Sequence, residues 1–369
     1  MRCTRLVWSL LAFAEAVTAF LPTRSSSSSL PVLFLAKKGF GGSASKGFGA
    51  KTASANKKKP SKKVILKRIE KTYGGTSAQQ IAQATQKRIE TAMSKLPPHL
   101  QMATQLYQQL QKWDARLQTM SVLDQTQIPS AEMEGAQRAR DELQRILNEH
   151  DLTDVDLRNT FQKVTWDASA DAKAARSVTG DMPAMIAERV DRACAMVAET
   201  VGPTGQCLDV GCGFGVLVPS LTKAGRLKPS QIHGIDLSPE MIRNAQELNA
   251  GPTFQAVDFL QDYQPDNGGT FEAVIFCSAL HDMPDMQGTL DKAWSLVKPG
   301  GGRLVILHAQ GASHVAQQVR ANPVLVPRGL PTAEEYQSMG LEGATLITAP
   351  AKTRDEEERD GYLAVLEKS

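Results

Sequence analysis

The chain is poor in cysteine, and what little it has forms no framework. Its 369 residues include five cysteines, Cys3, Cys194, Cys207, Cys212 and Cys277, none in a C-x-x-C pair or at zinc spacing. A disulfide-stapled scaffold and a cysteine metal site are both excluded. A spanning helix is not legible either. The apolar run Leu6–Phe13 is far shorter than the roughly 20 residues a bilayer requires. Acids are missing from Ala16 to Ile69, so the charge is split along the chain. Residues 1–75 carry a net +13 and the remainder −10, for a total of +3. A negative main body is a poor match to phosphate backbones, which argues against a nucleic-acid substrate.

What is present is a glycine loop, Cys207–Leu217, reading CLDVGCGFGVL. A short apolar run ends at Val210, then Gly211, Gly213 and Gly215 alternate before a helical pattern over Val216–Ala224. Missing Cβ atoms let such a loop turn sharply and bring main chain against a ligand, beside the partial positive charge of a helix start. The spacing is not the dinucleotide fingerprint G-x-G-x-x-G, because Val216 stands where that pattern needs glycine. Asp209 precedes the loop. A second strand, Gln231–Ile235, ends in Asp236, 21 residues beyond Gly215, near the offset at which an acid accepts ribose hydroxyls.

D-x-G-x-G-x-G followed by a strand-terminal acid resembles the class I S-adenosylmethionine-dependent methyltransferases, from about Trp166 to Ser369. The resemblance implies an α/β fold: a Rossmann-like seven-stranded sheet flanked by helices, with a reversed terminal strand. It implies S-adenosyl-L-methionine as cofactor, held by Asp209, Gly211, Cys212, Gly213, Gly215, Asp236, Leu237, Met241, Asp258, Phe259 and Cys277. Asp236 would take the ribose, Leu237 and Met241 would face the adenine, and Asp258 with Phe259, closing the strand Phe254–Val257, would meet the adenine amine and ring. Ser238, Pro239 and Glu240 suit the start of the following helix.

The fourth strand, Phe271–Phe276, runs into Cys277-Ser278-Ala279-Leu280-His281-Asp282-Met283-Pro284-Asp285. Ligands bind beyond the carboxyl ends of such strands, so the methyl acceptor belongs here. The Asn/Asp-Pro-Pro-aromatic run that marks base-amine methylases is missing. So are the paired glutamates of arginine methylases and the Pro-Cys of RNA cytosine-C5 methylases. These absences steer towards a small-molecule acceptor. His281 is the candidate general base for a hydroxyl. No metal site is read. After Lys298-Pro299-Gly300-Gly301-Gly302 and the strand Arg303–His308, the segment to Pro331 is where the resemblance places the acceptor pocket, with His308, His314, Arg320 and Arg328 as candidates. Thr332 caps a last helix. Gly343–Thr348 and Gly361–Leu366 read as strands, and Arg354–Asp360 as a solvated connection.

Three regions precede or make up this domain. Residues 1–75 read as a leader and disordered basic linker. Arg2, Arg5, Leu6–Phe13 and Val17-Thr18-Ala19 have signal-peptide order. Phe20 and the serine run Ser25–Ser29 follow, with transit-peptide chemistry. This resembles the bipartite leader of algae with secondary red plastids and implies a plastid; secretion is the alternative. KKGFGG and SKGFGA lie in a low-complexity stretch that cannot bury a core. Residues 76–165 read as helical: Ala78–Ser94, then a seam of Leu106, Leu110, Trp113, Leu117 and Met120, a turn at Asp124–Pro129, and a helix capped by Ser130. This segment either packs on its own sheet or, through 77–150, holds a protein partner or a second copy. Residues 166–369 form the methyltransferase domain, opened by Trp166–Asp171 and the helix Met182–Thr200. Two other readings stay open: a protein methyltransferase docking through the helical segment, and a non-catalytic S-adenosylmethionine-binding protein.

Overall fold

Short aliphatic runs punctuated by Gly, Asp and Pro become seven strands: β1 Cys207–Val210, β2 Ile232–Asp236, β3 Thr253–Ala256, β4 Ala273–Cys277, β5 Gly302–His308, β6 Ala344–Thr348 and β7 Tyr362–Lys368. The computed structural model describes residues 62–74, 77–179, 183–266 and 269–369. The strands form one sheet in the order β3-β2-β1-β4-β5-β7-β6. The first five are parallel, and β7 runs antiparallel to both β5 and β6. β1 is buried throughout, as is β4 up to Phe276, as befits central strands covered on both faces. The order reverses between β1 and β4, so their carboxyl ends open a crevice.

The helices are α1 Lys62–Tyr73, α2 Ala78–Met93, α3 Pro98–Thr119, α4 Val122–Thr126, α5 Ser130–His150, α6 Asp154–Thr179 and α7 Ala184–Val201. Between and after the strands come α8 Val218–Lys223, α9 Pro239–Leu248, α10 Met286–Leu296, α11 Ala312–Ala321, α12 Ala333–Ser338 and α13 Arg354–Asp360. The two-residue period of the strands divides the core. Val274, Phe276, Leu304 and Ile306 pack with Leu290 and Trp294 of α10. Ile275, Val305 and Val365 pack on the other face with Val190, Cys194 and Val197 of α7 and Leu221 of α8.

The helical segment shares a core with the sheet domain. Ile89, Tyr107, Leu143, Leu157 and Phe161 cluster with Val315 of α11 and with Val324, Leu325 and Val326. Several local expectations are corrected. The linker does not extend to residue 75: 62–73 is helical, and its Ile69 and Tyr73 are only 2% and 3% exposed against Ala172 and Ala175. The Tyr73 hydroxyl donates to Ala168 O at 2.9 Å and accepts from Ala172 N at 3.2 Å. Trp166–Asp171 does not open a new element. It lies inside α6, which starts from a reciprocal Thr153–Asp156 cap and runs unbroken past residue 165. Ser130 is the first residue of α5 rather than its cap, and the turn at Asp124–Pro129 overlaps the short helix α4. Arg354–Asp360 is a helix with a Thr353–Glu356 capping box. Among the described residues no helix is long and apolar enough to cross a membrane. The expected signal peptide, cleavage site, serine run and KGFG repeats lie outside the described residues.

Truncating Ile69 tests whether the basic end of the chain is part of the folded body. Ile69→Ala is expected to lower the unfolding free energy by about 2–5 kcal/mol. Urea unfolding of the purified variant measures this; an unchanged midpoint would place residues 62–73 outside the cooperative unit.

Candidate functional site

The loop after β1 is held by β2. The N–H groups of Gly211 and Cys212 both donate to Ile235 O at 2.9 Å. Gly211, Gly213 and Gly215 have φ of +70°, +54° and +76°, the left-handed region that favours glycine. A Cβ on Gly211 would lie 2.5 Å from Ala279 Cβ, whereas one on Gly213 would meet nothing within 4 Å. Gly213 therefore backs on open space at the mouth of the crevice. The helix that follows is shorter than the pattern suggested, starting at Val218 rather than Val216.

Asp236 at the end of β2 couples this loop to the next one. Its Oδ2 accepts from Gly213 N at 2.8 Å and its Oδ1 from Ser238 N at 2.9 Å. Burial raises its pKa to about 6, opposed by those two N–H donors. Asp209 is 1% exposed, and its Oδ1 has no hydrogen-bond partner among the described residues. Burial, with the charge of Asp236, pushes it up to about 8. An unpartnered buried carboxylate oxygen beside a glycine cradle fits a ligand that brings hydrogen-bond donors. Cys212 and Cys277 flank the same loop ends. Burial pushes the Cys277 thiol up to about 12 and Cys212 well above its ordinary range, so both stay protonated.

Ser238 caps α9, its Oγ accepting from Met241 N at 3.1 Å. Met241 is buried and Leu237 half-buried. Asp258, after β3, accepts from Leu260 N and Gln261 N through Oδ1 and from Asn159 Nδ2 at 2.5 Å through Oδ2. Phe259 turns inward, edge-on to Phe276 with ring centroids 5.9 Å apart.

α6 crosses the carboxyl ends of the sheet and touches the loops after β2, β3, β4 and β5. Asn159 reaches Asp258; Gln162 donates to Asp282 O at 2.5 Å; Asp167 accepts from Ser238 Oγ at 2.5 Å and from Glu240 N at 3.3 Å. Arg158 donates to Leu325 O at 3.2 Å, and Lys173 lies 3.9 Å over the Trp166 ring. Asn159, Gln162 and Arg158 escaped sequence reading. Their one trace is polarity beside the apolar stripe of Leu157 and Phe161.

Beyond β4 and β5 three imidazoles meet. His281 and His308 are 2% and 0% exposed, with ring centroids 5.1 Å apart, and His314 on α11 lies 5.7 Å from His308. His281 Nε2 is 3.5 Å from Asp282 Oδ1. Burial lowers the pKa of all three, that of His308 furthest, so they are neutral. His281 Nδ1 and both His308 nitrogens have no hydrogen-bond partner among the described residues. Ser278, in the same loop, has φ of +54°, a strained value for a non-glycine residue. Arg320 and Arg328 are exposed and do not join the cluster. Among the described residues no three His, Cys, Asp or Glu side chains are grouped so that they could hold a metal ion.

One comparison with known families falls on this crevice. A family described as "Methyltransferase domain" matches residues 208–303, which hold the glycine loop, Asp236, Asp258 and His281. The ubiquinone biosynthesis O-methyltransferase of Xanthomonas campestris pv. campestris is 28% identical over 209 residues, 55% of this chain and 82% of the relative. That of Xanthomonas axonopodis pv. citri is 30% identical over 139 residues, 37% of this chain and 52% of the relative. Among solved structures, magnesium protoporphyrin IX methyltransferase from Synechocystis PCC 6803 with bound S-adenosylhomocysteine is 22% identical. The match covers 57% of this chain and 100% of that one, with a TM-score of 0.42. Residues 208–303 thus carry a methyltransferase domain, set in the seven-stranded sheet with a reversed β7 that the resemblance implied.

The two raised acids predict a pH dependence of stability. Asp209 and Asp236 bind protons more tightly folded than unfolded, so their contribution is full below about pH 4 and is lost as pH rises through about 6 and about 8. Urea unfolding of the ligand-free protein should show this as a stability loss between pH 5 and 8, and Asp209→Asn should flatten the slope. An equal slope in wild type and variant would mean Asp209 is ionised throughout.

Proposed function

We propose that the chain transfers the methyl group of S-adenosylmethionine to a hydroxyl of a small-molecule acceptor, with His281 as general base. The observation that carries this is the neutral, buried His281 at the end of β4, with Nδ1 free to accept a proton and Asp282 beside Nε2. The Xanthomonas relatives, named as O-methyltransferases, support oxygen as the accepting atom.

The residues present fit the cofactor. Main chain at Gly211, Cys212, Gly213 and Gly215, with Asp209 below, would hold its amino-acid part. Asp236 would accept the ribose hydroxyls, and Leu237, Met241, Asp258 and Phe259 would bound the adenine, with Cys277 near the reacting end. The bound sulfonium supplies a methyl carbon already activated for in-line displacement. Proximity and alignment in a crevice of this kind are worth up to about 7–11 kcal/mol. His281 takes the acceptor's hydroxyl proton as the new carbon–oxygen bond forms. α6 lies across the strand ends and would shield the reaction from water. We place the mature protein in a plastid on the strength of its leader, whose small cleavage site precedes Phe20, and set the boundary between helical segment and methyltransferase domain near residue 165, within the continuous helix α6.

Methyl-labelled S-adenosylmethionine and a plastid extract test the reading. Label should enter the lipid or small-soluble fraction. Label in protein would favour a substrate docked on the helical segment, and cofactor binding without transfer to any fraction would favour a non-catalytic role. His281→Gln should cut transfer about 10²–10⁴-fold while leaving S-adenosylhomocysteine affinity unchanged. In the wild type the rate should rise with pH through a value below the ordinary imidazole 6.5 and then level, as the base form fills. Asp236→Ala should weaken S-adenosylhomocysteine binding roughly 10- to 100-fold in calorimetry, the loss of charge-assisted hydrogen bonds to the ribose.

A further inference from the structure

We infer that Glu357 is a positioning residue that, together with Arg189, sets the acceptor side of the site from the far end of the chain. This rests on the reading that the acceptor meets His281. Glu357 belongs to α13, the charged stretch whose sequence suggested only a solvated connection. Its Oε1 accepts from Ser313 N at 2.6 Å and its Oε2 from Ser313 Oγ at 2.7 Å. α11 has Gly311 at its N-cap and no local side-chain cap, so Glu357 supplies from 44 residues away what a cap residue normally supplies locally. A carboxylate at a helix start also meets the positive end of the helix dipole. Gly311, at φ +92°, leaves the space, since a Cβ there would collide with Glu357 Oε1.

Arg189 of α7 locks the other end of the brace. It is 4% exposed, and among the described residues its guanidinium makes no ion pair. It donates to Ala309 O at 2.5 Å, to Arg359 O at 3.1 Å, to Glu357 O at 3.3 Å and to Glu358 O. One planar fork therefore joins the last carbonyls of α13 to the residue that follows β5. Gly361 packs on the same place, where a Cβ would lie 2.8 Å from Ala309 O.

The held segment carries chemistry. His308 ends β5, and His314 and Gln318 stand one turn apart on α11. Gln318 is 7% exposed with Oε1 unpartnered among the described residues. His281 and His308 give the acceptor side buried ring nitrogens without a partner among the described residues. A rotation of α11 by even a few degrees would displace His314 and Gln318 relative to His308. Glu357 touches none of the reacting atoms and acts through α11.

The experiment uses the full chain with bound S-adenosylhomocysteine. Ring nitrogens of the six histidines are followed by NMR, and transfer is followed with labelled cofactor and the extract described above. Glu357→Ala should move the His308 and His314 ring signals and lower kcat at least tenfold, with S-adenosylhomocysteine affinity within twofold of wild type. Glu357→Gln, which can still accept from Ser313 N, should restore most of the rate and the ring positions. Ser313→Ala, losing only the Oγ bond, should give a smaller shift of the same rings and serves if Glu357→Ala does not fold. Unmoved rings in these variants would overturn the proposal. So would a parallel fall of cofactor affinity and transfer that Glu357→Gln does not rescue. Should His281→Gln transfer normally while Glu357→Ala still moves the rings, the general-base reading fails and the brace stands.

Discussion

The carboxylate of Asp236 accepts the N–H groups of Gly213 and Ser238, and the rest of the crevice is built on that bridge. A parallel sheet ends in loops that make no ladder bonds, so something must hold them. Here one acid at the end of β2 fixes the glycine loop on one side and the start of α9 on the other. The same acid is the group that sequence reasoning assigned to the ribose. Its raised pKa comes from burial, which disfavours the charge and which the two main-chain donors offset only in part. Cofactor hydroxyls would arrive as further donors to an acid already in position.

A second layer depends on the first. α6 lies across the strand ends and joins their loops through Asn159, Gln162 and Asp167. Asp167 reaches Ser238, the residue that caps α9 and donates to Asp236, so cover and cradle share an atom network. Because α6 also shares its core with α2, α3 and α5, the helical segment and the crevice are mechanically linked. The three histidines on the acceptor side sit where β4 and β5 end. Their placement relies on the opposite end of the chain, through α13 and the guanidinium of Arg189.

Local signals were legible where one short stretch carries the whole requirement. The alternating glycines need positive φ, and Ser238 and Thr332 cap the helices that their spacing suggested. The reversed last strand followed from resemblance. Elements without such a stretch were misread. Trp166–Asp171 looked like an opening because its pattern changes there, yet nothing in α6 breaks a helix. Arg354–Asp360 has no buried residue, as its acidic run suggested, but it is a helix rather than a bare connection, and its carbonyls meet the buried Arg189 from 168 to 170 positions away.

The sequence by itself pointed to the glycine cradle, the strand-terminal acids and His281, because each depends on backbone freedom or side-chain chemistry at one place in the chain, and the class of sheet followed from the resemblance those residues carry. Only the tertiary structure decided that His281, His308 and His314 form one cluster, that Asn159 meets Asp258, and that Glu357 caps α11. These pairings join residues between 6 and 99 positions apart. No local periodicity encodes them, since they arise when packed helices bring distant side chains to the same loop.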